Sequence, residues 1–189
     1  MEMIIVLLVI AVIIVVMGIS IHNKIIASYN SAQRAWADVI AQERQKNKIL
    51  PELERIAEQY KIHESSVLNG ITELRTALKG LSSESVDVAQ LKEAQLKTRS
   101  LINNLYAVSE NYPDLKASTI YANLMKEIAE QQDNIGAAIR IFNSNVADFN
   151  TGIEVFPNSI INNNFTKKQK LNVFSDSEAA QGFEYKPNF

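Results

Sequence analysis

Few residues in this chain have types and positions suited to chemistry. They are two histidines, His22 and His63, and a polar set at positions that otherwise read as helix core: Gln33, Glu43, Asn47, Glu64, Gln131 and Asn145. Arg140 lies one position off the same register. Carboxylates at Glu43 and Glu64 near the Arg140 guanidinium would suit a ligand pocket inside a set of helices. A buried carboxylate without a partner is costly or takes up a proton. The plainer reading is that these groups set helix register and partner choice, as polar residues in a helix seam do. It is the preferred one.

Metal and nucleophilic chemistry find less support. A di-metal helical bundle needs inward glutamates and Glu-x-x-His pairs, and the sequence has no Glu-x-x-His. His22 abuts an apolar run, where a polar interfacial residue needs no further reason, and His63 simply precedes Glu64. No G-x-S-x-G, P-loop, dinucleotide fingerprint or H-E-x-x-H occurs. The absence of cysteine excludes disulfides, thiolate metal sites and cysteine catalysis. No catalytic, metal or cofactor-binding residue is assigned, no cofactor is called for, and the chain is expected not to be an enzyme.

The elements that would position the polar set are helices. The 189 residues hold only six glycines and four prolines, too few for a turn-rich sandwich or barrel. The polar segments are rich in the better helix formers. Net charge is −2 with lysine and arginine scattered, which leaves no electrostatic footprint for nucleic acid.

Residues 1–23 read as a transmembrane anchor. Ile4 to Ile21 is uncharged, and eighteen such residues with their flanks cover the ~30 Å hydrocarbon core as a helix. Ile4, Leu7, Ile10, Ile14, Met17 and Ile21 mark the anchor. A buried core helix would rarely be unbroken for this length. A cleaved signal peptide would want a basic start, where this chain has Glu2. Lys24 and Arg34 on the C-terminal flank point to a cytoplasmic C-terminal domain.

Residues 24–157 show core-type positions in steps of three and four, predicting an antiparallel up-and-down four-helix bundle with helices near 24–49, 51–79, 86–110 and 116–155. Pro51 is placed as the first residue of the second helix and as the turn of a hairpin, because proline removes a helical hydrogen bond and disfavours helix at Leu50. One long kinked helix through Pro51 would also fit the step order. Trp36 reads as a core aromatic. Lys79 to Ser85 (KGLSSES) and Asn111 to Asp114 (NYPD) supply the later breaks. Residues 158–189 are polar and without period, yet carry Phe165, Phe174 and Phe183. They are expected to form a largely irregular tail that packs on the bundle or on a neighbouring subunit.

A family resemblance runs through the same residues. AWADV at Ala35 to Val39, Leu50-Pro51, Tyr60 and His63-Glu64 are followed by YPDLKA at Tyr112 to Ala117. Then comes a series at Arg140, Phe142, Asn143, Val146, Phe149, Asn150, Ile153, Phe156 and Pro157. In order and spacing, from Tyr29 to Pro157, these resemble the LemA family of bacterial membrane proteins. The stretch AQERQKNK is less basic and less leucine-rich than the family pattern. The resemblance implies an N-terminal transmembrane helix with a short extracytoplasmic N-terminus, then an antiparallel four-helix bundle. It implies no catalytic residues.

The expected function is a non-enzymatic, single-pass interaction or assembly module of the bacterial inner membrane. Its partners would be the lipid bilayer, further copies of itself, or another membrane or envelope protein, and not nucleic acid. The alternatives are a ligand-binding or enzymatic bundle using Glu43, Glu64 and Arg140, or an adaptor for an envelope stress or protease system.

Overall fold

A computed structural model describes residues 1–60, 62 and 64–175, and every regular element in them is helical. Helix α1 runs from Glu2 to Gln45 and passes through a 3-10 turn, Lys46–Lys48, into α2, Leu50–Gln59. The chain does not reverse at Pro51, contrary to the hairpin expected there. Gln45, Lys46 and Ile49 all keep right-handed helical dihedrals, so α1 and α2 form one 58-residue helical rod. Pro51 sits in the first turn of α2, where its missing N–H costs least. The tightened turn before it moves the preceding carbonyls out of the α pattern that its ring would strike.

The same turn corrects the predicted seam. A 3-10 turn has three residues per turn, and across Lys46–Lys48 the buried positions step by three, from Glu43 to Lys46 to Ile49, with Leu50 buried beside it. Lys46 is therefore inside, and Asn47 is exposed.

The predicted second helix, 51–79, is divided. α3 spans Ser65–Gly80 and folds back along α2, with Arg75 Nη2 2.7 Å from Glu54 Oε1. The α3–α4 connection is pinned to α1: Trp36 Nε1 donates to the Ser82 carbonyl at 2.9 Å and Arg44 Nη2 to that of Leu81 at 2.8 Å. Helix α4, Val88–Asn111, is capped by Asp87. Its Oδ1 accepts from the N–H groups of Ala89 and Gln90, both at 3.0 Å, which satisfies two of the donors a helix start leaves unpaired. A short α5, Pro113–Lys116, leads into α6, Thr119–Glu154, capped by the Ser118 hydroxyl.

Helix α6 lies antiparallel to the rod, with Phe142 against Trp36 at 5.2 Å between ring centroids and Phe149 against Tyr29 at 5.4 Å. Its 36 residues extend about 54 Å at 1.5 Å each, enough to cover the rod from Ile25 to the end of α2. The fully buried Trp36, Phe142 and Phe149 contribute about 1.5–3 kcal/mol each by leaving water. Residues before Gly18 are exposed along the whole helix, so one end of the rod stands clear of the body. That end is long and apolar enough to cross a membrane.

Candidate functional site

The interior polar residues form a compact cluster. Glu43 is 0% exposed and Lys46 4%, and Lys46 Nζ stands 2.7 Å from Glu43 Oε2. The ammonium also donates to Thr98 Oγ1 at 2.9 Å, while the Thr98 hydroxyl donates to the Ala94 carbonyl. Gln95 Nε2 donates to Glu43 Oε1. Burial pushes Lys46 below the ordinary lysine value of 10.5, against the opposing pull of Glu43. Lys46, Thr98, Gln131 and Gln132 border a cavity of ≈ 20 Å³ otherwise walled by leucine and isoleucine, room for about one water molecule. The Gln131 Oε1 atom is buried without a hydrogen-bond donor in the structure.

The other predicted site residues are not brought to this cluster. Glu64 is exposed at the start of α3. Its neighbour Ser66 is held by Asn104 of α4, nine residues or about 13 Å along that helix from the Gln95 that contacts Glu43. Arg140 is exposed on α6, its Nη1 folded back over Gly136. Asn145 is half-buried and donates to the Ile141 carbonyl of its own helix. Val146 takes the core position in its place, because an apolar side chain there meets α1 with no polar group to satisfy.

A second arrangement holds the chain beyond α6. A short α7, Asn158–Ile161, is followed by a single π-helical turn, Asn162–Thr166, and then by chain without regular structure to residue 175. Three asparagines each grip both polar atoms of one backbone residue. Asn143 accepts from Phe174 N and donates to Phe174 O, both at 2.8 Å. Asn150 does the same to Leu171 at 3.0 and 2.9 Å, and Asn162 to Lys168 at 3.0 Å each. Asn143 and Asn150 are seven residues apart, about 10.5 Å along a helix. Their partners are three residues apart, which reaches that distance only as extended chain. The segment is thus a strap laid antiparallel on α6, with Phe174 9% exposed and part of the main core.

The LemA family model matches residues 35–185. The chain belongs to the LemA family. It is also 31% identical over 134 residues to a protein named Protein LemA from Metamycoplasma hominis, an alignment covering 71% of this chain and 60% of that protein. The chain therefore aligns with less than two thirds of that relative's length.

The LemA match begins at Ala35, after the apolar run. It takes in Glu43, Lys46 and all three asparagine clamps. The clamps escaped sequence reasoning as a site. Asn143 and Asn150 were visible as matching positions, and their seven-residue spacing on one helix face was the available signal, but a bond to backbone leaves no mark on the partner's side chain. Phe165 is 72% exposed, clear of the body. His22 meets Thr166 Oγ1 through Nδ1 at 2.9 Å. His63 and Phe183 lie outside the described residues.

Proposed function

We propose that this LemA-family chain is a non-enzymatic, single-pass protein of the bacterial inner membrane that acts as an interaction and assembly module through homo-oligomerisation. Residues 24–157 serve as an antiparallel four-helix bundle on the cytoplasmic side. The observation that carries the reading is the rod: its first residues are apolar and exposed, and it continues without a break into the helix that bears the core of the body. Such a helix placed in a bilayer would hold the body at a fixed distance and orientation from the membrane. Confinement to two dimensions lets modest contacts between copies add up, and self-assembly is the commonest form of oligomer. The interior charges also fit a structural role, since Lys46 pairs with Glu43 and bonds to Thr98, and Gln95 donates to Glu43, around space for about one water.

The test is the mass of the detergent-extracted full-length protein, by light scattering corrected for bound detergent, beside a chain lacking residues 1–23. A defined oligomer that depends on the anchor is expected. A monomer in both forms would overturn the assembly reading.

A further inference from the structure

We infer that residues 155–166 form a hook that dips into the membrane interface beside the spanning helix, with the Phe165 side chain among lipid acyl chains. The inference rests on the reading of Ile4 to Ile21 as a membrane span, and goes beyond it by assigning a second lipid-embedded element. The geometry is direct. Ile161 Cδ1 lies 3.6 Å from where a Cβ on Gly18 would stand. Ile161 and Phe165 form one wall of an apolar cleft of ≈ 530 Å³ whose other wall is Ile14, Val15, Gly18 and Ile19, with His22 at its end. Gly18 lies about 4.5 Å and Ile14 about 10 Å inside the end of the run at Ile21, at 1.5 Å per residue. A group that meets these residues side-on lies at their depth, and the surroundings at that depth are hydrocarbon.

Two independent features fit lipid as the occupant. Phe156 is 79% exposed, and with Val155, Ile160 and Phe165 makes a set of large apolar groups on the hook, more than a water-facing surface ordinarily gathers in one place. Backbone at membrane depth must also satisfy its own polar groups. The hook does so with asparagine: Asn164 donates to the Ile160 carbonyl at 2.8 Å, Asn158 to that of Gly152 at 2.9 Å, and Asn162 clamps Lys168. Lys167 follows at once, placed to reach the headgroup layer while its stem stays apolar, whereas Lys168 turns to the body, its Nζ 3.7 Å from the centre of the Tyr29 ring.

The full-length chain has no cysteine, so single spin labels can be placed directly. Phe165→Cys, Ile10→Cys in the span and Leu96→Cys on exposed α4 are labelled and reconstituted in vesicles of phosphatidylcholine with phosphatidylglycerol. Collisions with oxygen, which partitions into lipid, are compared with those of a water-soluble nickel chelate. The oxygen-to-nickel ratio at position 165 is expected to be several-fold above that at 96 and to approach that at 10. A ratio at 165 equal to that at 96, with 10 still lipid-like, would overturn the hook and leave the anchor standing. A water-like ratio at 10 would overturn both. Shielding of 165 from both reagents with spin–spin broadening would replace lipid by a second copy of the chain.

Discussion

Glu43 and Lys46 depend on each other, because both charges are buried from bulk water and paired at 2.7 Å. Removing one partner of a buried pair leaves an uncompensated charge, whereas replacing both by apolar groups is often neutral or better. Lys46→Met is therefore expected to destabilise the protein by about 3–5 kcal/mol, and Glu43→Leu combined with Lys46→Met to recover most of that loss, measured by chemical denaturation. A single variant as stable as the double would show that the pair is not desolvated in solution. The pH dependence has a definite sign. Desolvation lowers the folded pKa of Lys46 below its ordinary 10.5, so below the folded value both states hold the proton and the cost of burying the charge is present in full. Between the folded value and 10.5 the unfolded chain holds more protons, and stability rises with pH. The stability of the natural chain relative to the double variant should thus climb across that alkaline window and level off above it.

At the scale of elements, the strap depends on side-chain amides acting as a neighbouring strand would, offering one donor and one acceptor to an extended backbone. Asn143→Ala removes both bonds to Phe174, and Asn150→Ala both bonds to Leu171. At about 1 kcal/mol per bond, each change should raise amide exchange at its partner by about tenfold or more, with the cores of α4 and α6 unaffected. Asn→Asp, which keeps an acceptor and loses the donor, should fall between. Unchanged exchange at Phe174 in Asn143→Ala would mean that packing alone holds the strap. The strap also marks where sequence stops being informative. α6 was legible because its apolar spacing repeats after the NYPD break, and Trp36 was legible as a core aromatic. Pro51 misled because proline's penalty is set by the turn ahead of it, and a three-residue 3-10 turn leaves no residue signature of its own. Glu43, expected in the seam, is buried. The buried Lys46 was not expected there, since burial of a lysine is decided by partners, Thr98 and Glu43, that only the fold brings near. The grip on Leu171 and Phe174 is made through backbone atoms, which every residue possesses.

On the scale of the whole molecule, one helix has an exposed apolar end and a packed end, and its division follows from packing. The two clusters of core residues begin at Ile25, joined by the half-buried Ile21, and draw nothing from residues 1–20. The body should therefore fold without the anchor, while the hook, which leans on Gly18 and His22, should not keep its place. A chain lacking residues 1–23 is expected to show a single cooperative thermal transition by near-ultraviolet circular dichroism, reporting Trp36 in its packed site. Amide exchange should remain slow at Leu171 and Phe174, which are held by α6, and become fast through 160–166. Loss of the cooperative transition would mean that the rod transmits stability from its membrane end into the body. Retained protection in the hook would mean that α6 alone positions it. The contrast bears on the proposed assembly: if copies do associate, a body that is stable without residues 1–23 would meet them as a finished surface, with a membrane supplying concentration and orientation rather than fold.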